Sequence, residues 1–133
     1  MITKKIISIA SNTNNYGLTN EYTHKSSIKN TKCGDKIKIE ITMKNKRIKS
    51  LRYETKSCIF CEASASMLSN RLSLIKVNSL SSDVDLIKKF FNNDVSKLPS
   101  KFKPFKDILN KKNFKRFDCI ILPFMGIIKA LDL

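Results

Sequence analysis

The run KIKIEITM at residues 36–43 alternates apolar and polar residues without a break. Successive side chains on a strand point to opposite faces, so Ile37, Ile39, Ile41 and Met43 share one face and Lys36, Lys38, Glu40 and Thr42 the other. A strand that is apolar on one side only belongs to an antiparallel sheet with one covered face. A turn at residues 44–46 leads into residues 47–55, where Ile48, Leu51 and Tyr53 break strict alternation and predict a bulged strand. Residues 22–28 read as a short edge strand, and SNTNNYGLTN at 11–20 as a loop.

The covering layer must come from segments of helical period. Residues 1–10 mix apolar and basic positions and suit a short helix. From residue 59 onward Ala63, Met67 and Leu72 share a face, with small residues that permit close approach to the sheet. After a link at 78–81, Ser82 and Asp85 resemble a capping box opening a helix with Val84, Leu86, Ile87, Phe90 and Phe91. LPSKFKP at 98–104 is a loop, a short helix follows near 105–110, and CIILPFMGIIKAL reads as a last helix with Pro123 in its first turn. On that helix Phe124, Ile127, Ile128 and Leu131 form the apolar face. The expected fold class is α+β: a small antiparallel sheet of about three strands with helices packed on one face, in one domain over residues 1–133.

The first ten residues lack the long apolar stretch and cleavage site of a signal peptide, and no segment is long enough to span a bilayer. A cytoplasmic location is expected, where thiols stay reduced. The four cysteines then point to metal or sulfur chemistry rather than disulfides. The net charge of +15 invites a nucleic-acid partner. However, the basic residues are dispersed, and no aromatic nucleic-acid motif is interleaved with them. Such a spread predicts solubility and weak non-specific binding, so nucleic acid is not the expected partner.

Cys33 lies in TKCGD before a strand, where Gly34 permits an unusual turn and Asp35 follows. Cys58 stands at the end of a strand and ahead of a helix, and Cys119 ahead of the last helix. A thiol near a helix N-terminus feels the positive end of the dipole, which favours its thiolate. Three thiolates and one carboxylate make a tetrahedral zinc set. The opposing reading, small buried hydrophobes, is strongest for Cys119, which precedes an apolar run.

These residues resemble a known family. CGD at 33–35, Cys58 followed by ASASM at 63–67, and Arg116 with Asp118 and Cys119 ahead of LPF are similar to the IscU/NifU-like iron–sulfur cluster assembly proteins, and NNYG at 14–17 resembles that family's PRNxG segment. Cys58 and Cys119 are 61 positions apart, and Asp118 stands where IscU-type chains have histidine. Both features, with the Arg116-x-x-Cys119 pattern, resemble the SufU type, whose insertion is expected within residues 80–97. The resemblance implies a SufE/NifU-like fold, with zinc held by Cys33, Asp35, Cys58 and Cys119. It also implies sulfur accepted as a persulfide from a cysteine desulfurase (SufS-like), at Cys33 in the SufU type or at Cys119 in the IscU type. Alternatively the same residues hold iron or a transient [2Fe–2S] cluster, with Cys33, Cys58 and Cys119 as its thiolates, for delivery to apo-protein acceptors. The expected oligomeric state is monomer or weak dimer.

Such a chain is at most a sulfurtransferase working with its partner and not an independent catalyst. Arg116 is expected to pair with Asp35 or hold the incoming persulfide, and Asp118 to stand in for Asp35 if that carboxylate turns away. Cys61 replaces the family's usual serine and reads either as a core residue or as a spare thiol able to pair with Cys58 on oxidation. His24 reads as a surface residue. A basic nucleic-acid-binding module with a structural zinc is the competing class.

Overall fold

A computed structural model describes residues 2–133, so Met1 of the expected first helix lies outside the described residues. Three strands, β1 (His24–Lys29), β2 (Lys36–Lys44) and β3 (Arg47–Lys56), form one antiparallel sheet in the order β1-β2-β3. Ile37, Ile39 and Ile41 are buried beside Leu51 and Tyr53, as alternation predicts. Asn45 and Lys46 both take positive φ in the β2–β3 turn, the conformation that matches the right-handed twist of a tight hairpin. Thr42 pairs with Ser50 but Met43 with Ile48, so Lys49 is the extra residue of the bulge that the broken alternation implied. Glu40 departs from the simple pattern. It lies on the outer face yet is buried, because the loop before β1 crosses it and its carboxylate accepts from the Thr19 and Asn20 N–H groups.

Four helices complete the α+β fold: α1 (Lys4–Ala10), α2 (Ile59–Asn70), α3 (Leu80–Phe91) and α4 (Phe117–Leu131). Thr3 caps α1 through its hydroxyl. α2 is buried on most of its circumference, and its alanines and serines let α1, α4 and the sheet all pack closely around it. It stops at Asn70, whose side chain turns back to the Ser66 carbonyl, so Leu72 falls beyond the helix rather than on its face.

α3 occupies most of the stretch expected to hold an insertion. It begins at Leu80, two residues ahead of the expected Ser82 start, and a tertiary contact explains the shift. The buried Asp83 carboxylate accepts from Ser79 Oγ and pairs with Lys101, fixing the helix start there. Leu86, expected on the apolar face, is exposed. The helix expected near 105–110 is absent, and 3-10 turns at Ser100–Phe105 and Lys111–Arg116 take its place. Phe102, Phe105, Ile108 and Leu109 are buried all the same.

α4 starts at Phe117, so Pro123 is its seventh residue rather than a first-turn one, and Cys119 lies inside the first turn. Proline supplies no N–H to the carbonyl four residues back, here that of Cys119. The helix is held elsewhere: Ser64 Oγ donates to the Ile120 carbonyl at 2.7 Å, and Ser26 Oγ to the Gly126 carbonyl at 2.7 Å. A Cβ on Gly126 would stand 2.6 Å from Ile39 Cδ1, so glycine sets how closely α4 approaches β2. Among the described residues no helix is long and apolar enough to cross a membrane.

Gly126→Val should therefore destabilise the fold by about 2–3 kcal/mol through overpacking, read as a lower urea midpoint with an unchanged slope. An unaltered midpoint would show that α4 has room to move off the sheet.

Candidate metal and sulfur site

Three chain ends converge on one edge of the molecule: the β1–β2 turn, the N-terminus of α2 and the N-terminus of α4. In the turn, Asn30 donates its N–H to the Asp35 carbonyl and accepts the Gly34 N–H, both at 2.8 Å. The Asn30 side chain accepts the Lys32 N–H. Gly34 sits at φ +78°, a left-handed conformation that glycine adopts without strain. This geometry leaves Cys33 exposed while Asp35 is turned inward and buried. Cys58 is the half-buried N-cap residue of α2, where the chain is still extended.

The structure brings these groups together. Cys33 Sγ and Cys119 Sγ are 3.7 Å apart. One side-chain oxygen or sulfur from each of Cys33, Asp35 and Cys119 lies within 4.8 Å of the other two. The Cys58 thiol stands outside that triplet but interacts with the Cys119 thiol. Its backbone N–H donates to Asp35 Oδ1 at 3.3 Å. Asp35 Oδ2 is buried with no hydrogen-bond partner. An ionised oxygen in that position is costly unless something positive meets it. Three thiols and an orphaned carboxylate oxygen fit a divalent metal ion or a small iron–sulfur cluster.

The expectation that helix N-termini turn these thiols into thiolates fails for Cys119. Burial pushes its thiol well up, and the neighbouring Cys58, Asp35 and Cys33 groups push the same way. Loss of hydration and nearby negative charge outweigh one helix end here. Cys61 is fully buried, and burial raises its thiol to about 12, with the nearby Asp35, Cys58 and Cys33 charges adding to the rise. It is a core residue of α2, and all four cysteines are free.

Arg116 and Asp118 both stand outside the triplet. Arg116 does not pair with Asp35. It is exposed, with its guanidinium 6.0 Å from the centre of the Phe60 ring at the start of α2. Asp118 faces outward and pairs with Lys32 at 3.6 Å, tying the Cys33 turn to the first turn of α4. Sequence reading missed this tie because it joins residues 86 positions apart. His24 is exposed, with Nδ1 beside Thr23 Oγ1, as expected of a surface residue. The NNYG segment lies against β3 and α2: Gly17 N–H donates to the Tyr53 carbonyl, and the Asn15 amide to Ser69 and Asn70.

Residues 1–119 match the family model described as the NifU-like N terminal domain. The chain belongs to that family, whose work is iron–sulfur cluster assembly. It is also 29% identical over 131 residues, 98% of this chain and 89% of the relative, to an uncharacterized protein of Borreliella burgdorferi. The fold resembles the crystal structure of a nitrogen-fixing NifU-like protein (N-terminal) from Brucella abortus, with a TM-score of 0.84, 16% identity, and 98% of this chain and 91% of that one covered. It also resembles a putative iron–sulfur cluster assembly scaffold protein for the SUF system from Fervidobacterium islandicum, with a TM-score of 0.82, 16% identity, and 98% and 96% covered.

In chelator-treated protein at pH 8, iodoacetamide should label exposed Cys33 first, and Cys61 and Cys119 far more slowly. Raised thiols gain thiolate only at higher pH, so Cys61 labelling should climb toward pH 12. Peptide mapping of the alkylated cysteines reads the order. Rapid labelling of Cys61 at pH 8 would contradict its burial.

Proposed function

We propose that this chain is a metal-binding sulfur acceptor of the SufU type, with Cys33, Asp35, Cys58 and Cys119 as ligands of one zinc ion. The observation that carries the reading is the buried, partnerless Asp35 Oδ2 beside the Cys33 and Cys119 thiols. Bound zinc would hold the thiols deprotonated and order the surrounding loops.

The chain's own residues do the rest. Gly34 and the Lys32–Asp118 pair set the position of Cys33, the most accessible of the thiols. Asp35 Oδ1 holds the start of α2, and with it Cys58, in place. Sulfur arrives on a partner cysteine as a persulfide. The Cys33 thiolate attacks the outer sulfur; a new S–S bond forms at Cys33, the old one breaks, and the partner cysteine leaves as a thiolate. The proton given up by Cys33 balances the one the leaving thiolate takes up. Cys119, 3.7 Å from Cys33, is the alternative acceptor, and Arg116 stands at the rim over Phe60, where a cation favours the incoming anionic sulfur. The partner is a cysteine desulfurase, and the work is done in the cytoplasm.

A second reading rests on the scaffold protein of the SUF system that shares this fold. In that reading the same four residues hold a [2Fe–2S] cluster as cargo, destined for apo-proteins. Three thiolates and one oxygen ligand suit release, because oxygen holds iron less firmly than sulfur does.

Anaerobically purified protein should contain one zinc per chain by elemental analysis, and Asp35→Ala should weaken zinc binding at least about tenfold. Cys33→Ser should abolish both tight zinc binding and stimulation of the desulfurase. Stimulation that survives loss of zinc in Cys33→Ser would overturn the acceptor reading. Iron with sulfide, transferable to an apo-protein, would establish the scaffold.

A further inference from the structure

The outer face of the sheet ends, beside the thiols, in a row made only of lysine. Lys29 of β1 lies directly opposite Lys36 of β2, and Lys36 directly opposite Lys56 of β3. All three are exposed, and none makes an ion pair among the described residues. Like charges directly opposed across strands destabilise a sheet, and here the repulsion acts twice along one row. The packing does not call for lysine at these positions, since they face away from the core.

Lys38 adds a fourth charge one row further along. These four lysines, with Tyr16, Thr55 and Glu54, line a groove of about 350 Å³. The acidic groups of this face offset only part of that charge, with Glu54 directly opposite Lys38 and no ion pair between them among the described residues. Glu40 holds the Thr19 and Asn20 N–H groups, and Glu54 accepts the Leu18 N–H at 3.4 Å. The row also adjoins the site in sequence: Lys36 follows Asp35, Lys56 stands two residues before Cys58, and Lys32 precedes Cys33.

We propose that this lysine row and its groove are the docking surface for an acidic patch on the desulfurase, which rests on the reading that the chain takes sulfur from such an enzyme. Charge complementarity fixes the chemistry of the occupant, and opposed potentials steer encounter and orientation. Two observations favour a protein over a nucleic acid. The row spans three strands, roughly 10 Å, which is a compact patch and not a track for a phosphate backbone. The one aromatic ring lining the groove, Tyr16, is engaged edge-on with Tyr53 and offers a poor stacking platform.

The test compares Lys29→Glu/Lys36→Glu/Lys56→Glu with Lys44→Glu/Lys46→Glu/Lys49→Glu, an equal charge change at the opposite end of the sheet. Reversing the row keeps its internal repulsion, so a change in binding reports the sign of the charge rather than strain. Affinity for the desulfurase encoded in the same genome is measured by titration, with zinc content and melting temperature as checks on folding. Wild-type binding should weaken between about 50 mM and about 300 mM salt. The row variant should lose at least tenfold at low salt, and the distal variant less than twofold.

Equal binding by the row variant and wild type, equal loss in the distal variant, or no binding by wild type would each overturn the proposal. So would a single-stranded RNA that binds the row more tightly than the desulfurase does. Row-dependent binding without sulfur reaching Cys33 would sink the acceptor reading and leave the docking surface standing. Undiminished binding and sulfur delivery to the row variant would do the reverse.

Discussion

The packing of α4 into the angle between α2 and the sheet is the constraint from which the site follows. α4 reaches β2 because Gly126 offers no side chain to Ile39, and it is registered against α2 by the hydrogen bond from Ser64 to the Ile120 carbonyl. That bond lies one residue beyond Cys119, so the contact that aligns the helices also sets the depth of the thiol. A buried hydroxyl-to-carbonyl bond contributes only about 1 kcal/mol net, but leaving the buried Ser64 hydroxyl unmet costs more. The pairing is therefore stronger in specifying register than in adding stability. Cys33 and Asp35 arrive from the sheet side on the β1–β2 turn, and Cys58 from the end of β3, so neither reaches Cys119 unless the layers stack in this register.

Much of the fold was legible because its strongest signal is local. The period of two in residues 36–43 gave the inner face of β2, and the broken period after it gave the bulge at Lys49. The errors fall where a distant residue overrides local pattern. α3 starts early because Lys101, from another segment, pairs with Asp83. Glu40 is buried because a loop twenty residues upstream caps its carboxylate. α4 starts early because the helix carries Pro123 in its second turn while its neighbours hold it. Proline propensity alone predicts the opposite, since packing is absent from that rule.

The site was legible as a set of residues but not as an arrangement. The CGD turn, the cap position of Cys58 and the C-terminal RFDC motif named Cys33, Asp35, Cys58 and Cys119, and the fold gathers three of these tightly with Cys58 at their border. What sequence could not supply was the balance of fields. A helix N-terminus favours a thiolate, yet burial and the hydrogen bonds of the Cys119 thiol to Cys58, Asp35 and Cys33 prevail, and that balance depends on distances no spacing reveals. The lysine row is of the same kind: its charges are scattered along the chain, and only the register of the strands places them in line.

Several features that break local rules meet at one end of the molecule. There a carboxylate oxygen is buried without a partner, the Cys33 and Cys119 sulfurs crowd to 3.7 Å, a turn depends on a left-handed glycine, and three lysines face one another across the sheet. Elsewhere polar groups are met, as at Glu40, Asp83 and Ser64. Sequences that fold well keep local and global preferences consistent, and conflicts persist chiefly where function holds them. Each conflict also has a definite sign. The orphaned oxygen and the crowded thiols call for positive charge inside the site, whereas the lysine row calls for negative charge outside it. A cation resolves the first and an acidic protein surface the second, and the chain joins the two directly, since Lys36 follows Asp35 and Lys56 stands two residues before Cys58.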